Sequence, residues 1–352
     1  MAKKKRSKKK IILTVVISIL SVALVVVIAG WIIVNHQLNK IKRIDTEAIV
    51  TVAPEDEDFE VDEVTDDEEV IEDTLDPDEV VWNDADVSVL QDNEIKNILF
   101  IGQDAREGEE RARSDTMIIC SINNRTKEIT LVSLMRDMYV PIPGYSANRI
   151  NSAYKFGDVE LLDSTIEEDF GVHIDGNFVV NFEAFVTALT TIGDLDIELT
   201  GEEARYMNRT SRGFLQDEGF EPEDWDLQAG MNSLTPHQAL SYARIRHIGN
   251  ADYERTERQR KILIAAFDKM KDCSLSELYD VTSEIFPSLM TDLTNSEIMG
   301  YVYDVSTEHM EITGNYRIPV DHSYSCEQIQ GMSVLVPNLS TNSEALQEYI
   351  SG

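Results

Sequence analysis

An uncharged stretch near the N-terminus constrains the architecture of this chain most. Residues Ile11–Val34 form a run of 24 residues without a charged side chain. A helix of that length extends about 36 Å, which exceeds the roughly 30 Å of hydrocarbon in a bilayer. Seven bases precede the run and three follow it closely, and this bias places the N-terminus in the cytoplasm. The sequence predicts a basic cytoplasmic tail (1–10) and a transmembrane signal-anchor helix (11–34), with a cleaved signal peptide as the alternative.

Charge divides the rest of the chain into two parts. Residues 45–94 contain 22 acidic residues, no basic residue and few aromatic ones. Such a segment repels itself and lacks the side chains of a core, so 35–94 is expected to form a disordered extracellular linker. Residues 95–352 form the predicted extracytoplasmic domain. Its 43 acidic residues against 21 basic ones oppose non-specific binding to nucleic acid.

The basic residues of this domain are mostly arginine, 15 against 6 lysines. Arginine holds phosphate with two parallel hydrogen bonds, whereas lysine acts as a point charge. Clustered arginines in an acidic domain indicate an anion site, although surface ion pairs explain any single arginine equally well. Of the three cysteines, Cys273 and Cys326 form a candidate disulfide outside the cell, a question that the sequence leaves open.

Hydrophobic patterns predict alternating strands and helices, and hence an α/β sandwich with a central mixed sheet after one transmembrane helix. A loop or cover segment is expected at 205–225. The predicted strands are 97–104, 116–122, 129–135 and 177–182, and the predicted helices are 158–169, 183–192, 254–271, 275–285, 295–307 and 341–350.

Charged side chains cluster where the first two strands meet. Asp104 and Arg106 follow the first strand, and Arg113 and Asp115 begin the second. Antiparallel pairing of these strands would bring Asp104 and Asp115 together, and the two carboxylates would repel each other unless a cation joined them. A partly hydrated Mg²⁺ (or Mn²⁺) shared with a substrate phosphate would relieve this repulsion. Pairing of the acids with Arg106 and Arg113, or capping of turns, is the alternative.

Further arginines follow in the sequence. Arg136 ends the third predicted strand at the sheet edge, with Asp137 as its alternative partner. Arg244 and Arg246 are two residues apart, so an extended chain would point both to the same side.

The helix predicted at 254–271 begins with a third arginine group. Arg255, Arg258 and Gln259 share one face at its start, where the helix dipole also favours anions. Ion pairs with Asp252, Glu254 and Glu257 are the alternative.

The strings NILFIGQDAR, RSDTMI, ITLVSLMRDMYVPIPGY, RINSAY, LTPHQALSYARIRH and DYERTERQRKIL together resemble the LytR–CpsA–Psr family. The resemblance covers most of residues 95–270. It implies an α/β/α catalytic domain that holds a polyprenyl phosphate or pyrophosphate. It further implies a single-pass protein of the cell membrane that transfers a polyprenyl-linked glycopolymer, of the teichoic acid or capsule type, to peptidoglycan outside the cell.

The resemblance also assigns roles to individual residues. Asp104 and Asp115 match the acids that hold the metal, and the catalytic candidates are Asp115, Arg136 and Asp252. Two departures from the family pattern are Leu134-Met135, in place of Ile-Pro, and the absence of a Gly-Gly pair at 191–195. The residues that would grip the pyrophosphate are Arg106, Arg113, Arg136, Arg244, Arg246, Arg255 and Gln259.

Two other functions stay open at this point. The same residues would serve a polyprenyl-pyrophosphate hydrolase, and a non-enzymatic lipid-binding regulator of the envelope would also need them. A lipid tunnel lined by Phe178, Phe182, Phe185 and Val186 is a further hypothesis, against the simpler interpretation that these residues form core.

Overall fold

The structure of the chain, a computed structural model, describes residues 30–46, 49, 51–53, 73–82, 87–103, 113–245, 248, 252–271 and 273–352. The strands are β1 (Lys42–Arg43), β2 (Ile95–Gln103), β3 (Ser114–Asn123), β4 (Glu128–Leu134), β5 (Tyr139–Val140), β6 (Asn148–Arg149), β7 (Gly176–Asn181), β8 (Leu195–Leu199), β9 (Gly230–Leu234), β10 (Leu289–Thr291), β11 (Glu311–Ile318), β12 (Tyr324–Ile329) and β13 (Met332–Pro337). The helices are α1 (Asn151–Phe170), α2 (Phe182–Ile192), α3 (Gly201–Asp217), α4 (Pro236–Ala243), α5 (Asp252–Lys271), α6 (Leu275–Ile285), α7 (Asn295–Thr307) and α8 (Leu339–Ser351). Residues 30–38 are also helical and are called the leading helix.

A seven-stranded mixed sheet forms the centre of the domain. Its strand order is β1-β10-β7-β2-β3-β4-β11. The pairs β1/β10, β7/β2 and β4/β11 are parallel, and the pairs β10/β7, β2/β3 and β3/β4 are antiparallel. The predicted mixed sheet is therefore confirmed. Strands β2, β4, β7 and β11 all end at the same edge, and β3 begins there.

Helices cover both faces of the sheet, because successive residues of a strand point to opposite sides. In β3, Met117 and Ile119 face the core formed with α1 and α8. Ile118 and Ile122 face the opposite core, to which α5 contributes Leu263, with Ile264 and Phe267 beside it. The layers are thus helix, sheet and helix.

A smaller cluster lies beside the sheet. It consists of the hairpin β8/β9, helices α2, α3 and α4, and part of α5, with Leu195, Leu234 and Met207 at its centre. Phe185 and Val186 pack against this cluster, whereas Phe178 packs in another core near β10. The described side chains proposed to line a lipid tunnel therefore belong to separate packed clusters, and the core interpretation accounts for them.

The predicted loop at 205–225 is wrong for most of its length, because α3 occupies residues 201–217. Thr200 accepts a hydrogen bond from the Glu203 amide at 3.2 Å, and the Glu203 side chain accepts one from the Thr200 amide at 2.8 Å. This reciprocal capping box begins the helix. The helix predicted at 158–169 also begins earlier, at Asn151, and the prediction covered only the part after the kink at Gly157 and Asp158.

The described parts of the predicted linker contact the domain. Lys42 and Arg43 pair with β10, and the amide of Val52 donates to the Phe156 carbonyl at 2.7 Å. The Trp82 ring stacks on Tyr139 with centroids 6.0 Å apart. Disorder is therefore the wrong prediction for these parts, because scattered apolar residues anchor a segment whose average composition is acidic. For the rest of 35–94 it stays a prediction.

The predicted membrane span lies mostly outside the described residues, which begin at residue 30. Among the residues that the structure describes, no helix is long and apolar enough to cross a membrane. All three cysteines, Cys120, Cys273 and Cys326, are free thiols, so the structure does not contain the candidate disulfide between the last two.

A buried carboxyl group on α1 makes stability depend on pH. Asp163 accepts a hydrogen bond from Asn177 at 2.8 Å, and burial, aided by the nearby Asp292 carboxylate, raises its pKa to about 8. Between about pH 4 and pH 8 the folded chain holds a proton that the unfolded chain releases, so stability falls as pH rises through that window.

We expect Asp163→Asn to lose less stability between pH 5 and pH 8.5 than the unmodified protein, because the variant stays neutral. The measurement is the free energy of unfolding by urea at both pH values. Asp268→Asn, which changes an exposed carboxylate paired with Lys271, is the control. Equal losses of stability in the variant and in the unmodified protein would contradict this assignment. Asp169, whose pKa burial also raises to about 8, contributes equally to both proteins.

Candidate active site

The edge of the sheet where β2, β4 and β7 end carries the candidate site. The register of β2 and β3 shifts there: Gly102 pairs with Thr116, but Gln103 pairs with Ser114. Asp115 is the extra residue of this β-bulge, a feature that re-aims side chains beside functional sites. Its side chain keeps 32% of its accessible surface, while Ser114 is fully buried. A Cβ on Gly102 would lie 3.0 Å from the Thr116 Cβ, so the glycine permits this close pairing.

Two carboxylates and two arginines alternate across this edge. The Arg136 Nη1 donates to Asp115 Oδ1 at 2.5 Å, and the Arg136 Nε lies 3.5 Å from Asp137 Oδ1. The Arg149 Nε lies 3.6 Å from the same Asp137 oxygen, and its Nη2 donates to the Ser333 carbonyl at 2.7 Å. The Arg136 side chain is about one-fifth exposed. Carboxylates therefore hold the guanidinium while part of the side chain stays open to solvent.

A third arginine joins the edge from the beginning of β3. The Arg113 Nε donates to Ser152 Oγ at 3.4 Å, and Ser152 Oγ donates to Asn148 Oδ1 at 3.3 Å. Ser152 lies in the first turn of α1. Strand β6 and the first turn of α1 therefore hold Arg113, while the neighbouring Arg149 of β6 reaches Asp137.

Helix α5 brings further arginines to the end of β4. The Arg260 Nη1 donates to Ser133 Oγ at 2.5 Å, and its Nε donates to Asn315 of β11. Burial lowers the pKa of Arg260 to about 10. These contacts fix α5 against β4 and β11. In the first turn of the helix Arg255 is buried, and the Tyr253 ring stacks on Tyr324.

The structure tests the predicted site residues unevenly. It brings Arg113, Asp115 and Arg136 to one edge and places Arg255 on the helix beside it. Gln259 is half-buried on the same helix. The predictions for Asp104, Arg106 and Arg246, and for the side chain of Asp252, lie outside the described residues.

Arg244 differs from its prediction. It caps the C-terminus of α4 in a helical conformation instead of an extended one, and its guanidinium donates to Glu218. Arg258 also differs from its prediction, which placed it on one helix face with Arg255. Arg258 is 1% exposed and pairs with Glu203 at 2.8 Å and Glu254 at 2.5 Å. The ion-pair alternative explains Arg258, because the helix face that carries it turns towards α3.

The sequence reasoning did not identify Arg149. The sequence feature that could have identified it is local composition. Arg149 is the single charged residue in SANRINSAY (146–154), and the uncharged surroundings indicate that it is buried. The residue is 5% exposed and reaches Asp137 from the hairpin β5/β6. Only the pairing of Tyr139 with Arg149 brings it to the strand end, and that pairing is not visible in the sequence.

Among the residues that the structure describes, no group of three His, Cys, Asp or Glu side chains could hold a metal ion. Mg²⁺ keeps several waters and binds one or two carboxylates plus substrate phosphates, so it does not need such a group. Asp115 fits this role, because its contact with Arg136 uses one carboxylate oxygen and the side chain is partly exposed.

Comparison with known proteins agrees with this architecture. The chain is 30% identical over 220 residues to the polyisoprenyl-teichoic acid–peptidoglycan teichoic acid transferase TagU of Enterococcus faecalis, covering 61% of this chain and 67% of that one. It is 25% identical over 273 residues to the regulatory protein MsrR of Staphylococcus aureus, covering 75% and 79%. A solved structure described as TagT bound to LI-WTA has a TM-score of 0.58 at 22% identity, covers 74% of this chain and 92% of its own, and shows the shared fold. The model of the LytR_cpsA_psr family matches residues 34–348, and the chain belongs to that family.

Proposed function

We propose that this chain is a membrane-anchored transferase that moves a polyprenyl-linked, phosphate-containing glycopolymer to peptidoglycan outside the cell. The observation that carries the proposal is the set of arginines held around Asp115 and Asp137 at one sheet edge of a strongly acidic chain. The name of the TagU relative supports the substrate class, and the basic N-terminus followed by an apolar run supports the location.

The proposed reaction joins a sugar hydroxyl of peptidoglycan to the phosphorus that carries the glycan. A new P–O bond forms, the P–O bond to the lipid phosphate breaks, and polyprenyl phosphate leaves. Such a step needs alignment and charge neutralisation more than covalent help from the protein. Arg113, Arg136 and Arg149 would donate to the phosphate oxygens, with Arg255 beside them. Their partners on the protein hold the guanidinium groups in place before substrate binds.

The proton of the attacking hydroxyl must pass to a base at this edge. Asp115 is the candidate whose side chain the structure describes, since it is partly exposed and lies beside Arg136. Asp252, at the start of α5, is the second candidate.

Asp115, with Asp104 as its partner from the sequence, is proposed to hold Mg²⁺ (or Mn²⁺). When bound, the ion would neutralise charge on the pyrophosphate oxygens.

We expect Asp115→Asn to lower kcat/KM by about 30-fold or more, or roughly 2 kcal/mol, and chelation of divalent cations to lower it similarly. The measurement is release of polyprenyl phosphate against Mg²⁺ concentration. Asp224→Asn, at an exposed ion pair with Arg212, is the control. Full activity of Asp115→Asn in the presence of a chelator would remove the metal from the proposal.

The function itself is tested with the full chain in lipid nanodiscs, a polyprenyl-pyrophosphate glycan and uncrosslinked peptidoglycan strands. Free polyprenyl phosphate and glycan bound to the strands are measured together. Transferase activity predicts that both rise in parallel. Release of lipid phosphate without strand-bound glycan would indicate a pyrophosphatase. Lipid binding without either product would indicate a regulator, the role in the name of the MsrR relative.

A further inference from the structure

The leading helix is held firmly against the domain. The Gln37 Nε2 donates to Ser283 Oγ of α6 at 2.6 Å, and Leu38 and Ile41 are buried in a core with Leu293 and Ile298. The chain then continues directly into β1, which pairs with β10 of the central sheet. The segment that leaves the predicted membrane span is therefore part of the folded domain.

The start of α7 is joined to the same helix. The Asn295 Nδ2 donates to Asn35 Oδ1 at 2.9 Å and to Asn39 Oδ1 at 2.6 Å. Arg43 donates to the Leu293 carbonyl and to Asn295 Oδ1, which closes the contact from β1. These bonds set the leading helix and α7 side by side.

A groove of about 820 Å³ runs between these two helices. The leading helix lines it with Trp31, Asn35 and Asn39, which share one face at a spacing of four residues. On α7 the lining residues include Asn295 and Met299. Trp31 and Met299 thus line the same groove, beyond the contacts that Asn35 and Asn39 make with Asn295.

That next turn of α7 is apolar and exposed. Val302 and Tyr303 follow Met299 by three and four residues, so they continue its face, and they are 59% and 67% exposed. On the leading helix, Trp31 is 55% exposed and Val34 is 45% exposed, with Ile32 and Ile33 between them similarly exposed. These six exposed residues, four on the leading helix and two that continue the Met299 face of α7, are together called the apolar patch.

We propose that this patch, residues 31–34 of the leading helix with Val302 and Tyr303 of α7, lies in the headgroup region of the phospholipid bilayer and fixes the orientation of the domain on the membrane. The proposal rests on the membrane anchoring included in the proposed function. Residues 31–34 are the last residues of the uncharged run Ile11–Val34, so the span itself brings the patch to the bilayer surface. Trp and Tyr favour that depth. Lys40 and Lys42, close after the run, add positive charge to this end of a chain that is otherwise acidic.

The test uses the full chain in phospholipid nanodiscs, with Cys273 and Cys326 replaced by serine. Cys120 is only partly buried, so it is replaced by alanine and each variant carries a single thiol. Single cysteines at Tyr303, at Met231 as a matched exposed control and at Ser21 within the predicted span carry a fluorophore. Met231 is 69% exposed and lies on β9, away from the patch. Quenching by iodide in water is compared with quenching by brominated lipid.

We expect iodide to quench the label at position 303 several-fold less than the label at position 231, and brominated lipid to quench it strongly. If iodide reaches position 303 as readily as position 231 while position 21 stays protected, the docking surface is wrong and the anchor stands. If iodide also quenches the label at position 21, both the predicted membrane span and the proposed docking of the patch on the bilayer are wrong. Polymer transfer measured on the same samples reports separately on the proposed activity, and unchanged urea midpoints show that each labelled variant is folded.

Discussion

Replacement of Arg136 by alanine is expected to lower kcat/KM for polymer transfer by roughly 30- to 1000-fold, or about 2–4 kcal/mol of barrier. Arg136 is held by Asp115 at 2.5 Å and lies 3.5 Å from Asp137, with about one-fifth of its side chain open to solvent. It is thus oriented before substrate binds, and its loss removes donors that a developing phosphate charge needs. The measurement is steady-state release of polyprenyl phosphate together with strand-bound glycan.

Two further variants show whether the loss of activity comes from the charge of Arg136, from its planar shape, or from removal of any arginine. Arg136→Lys keeps the charge but loses the planar fork, so we expect an intermediate loss. Arg125→Ala removes an exposed arginine that pairs with Asp92 at the far end of β3, and we expect activity close to that of the unmodified protein. If Arg136→Ala transfers polymer at the unmodified rate, the candidate site is misplaced.

Replacement of Glu203 by alanine is expected to lower the free energy of unfolding by about 3–5 kcal/mol, the largest stability effect anticipated for this chain. Glu203 accepts from the Arg258 Nε at 2.8 Å, and the side chains of Glu203 and Arg258 are 6% and 1% exposed. The variant would leave the buried guanidinium with Glu254 and the Ile245 carbonyl alone. A buried charge that loses a partner costs more than the pair contributed.

Glu203 also caps α3, and this second role needs its own control. Glu277 occupies the same position in the capping box of α6, where it accepts from the Ser274 amide at 2.8 Å, but unlike Glu203 it is exposed. We expect Glu277→Ala to lower the free energy of unfolding much less than Glu203→Ala does, because it removes a capping contact at the surface and leaves no buried charge behind. Urea unfolding of both variants measures the difference. Equal losses would show that capping, and not the buried pair, explains the effect.

The pH dependence of the same residue adds a check. Burial alone would raise the pKa of Glu203, but hydrogen bonds from Thr200 and Arg258 outweigh it and hold the pKa below its usual value. A depressed pKa contributes stability above the ordinary pKa of a glutamate and loses it as pH falls through the folded value. We therefore expect the stability gap between the unmodified protein and Glu203→Ala to narrow at acidic pH.

Local pattern predicted much of the sheet and its helices. The strands around Leu99, Ile119 and Val132 and the helices from α5 to α8 were predicted within a few residues, because apolar periodicity and capping residues act locally. Strand β11 was missed. Its partner β4 lies more than 180 residues earlier in the chain, and no turn in the sequence signals a parallel pairing over that separation.

The sequence by itself determined the class of fold, the acidic character of the domain and the enrichment of arginine near strand ends. It also indicated that Asp115 and Arg136 would both lie at the edge of the sheet, although it paired Asp115 with Asp104 and offered Asp137 as the partner of Arg136. Only the tertiary structure decided which carboxylate each arginine contacts. Arg149 reaches Asp137 through the hairpin β5/β6, whereas Arg244 and Arg258 are held by Glu218 and Glu203 of another helical region. The physical reason is that an arginine takes whichever carboxylate the fold brings within reach, and that distance is set by packing between segments far apart in the chain.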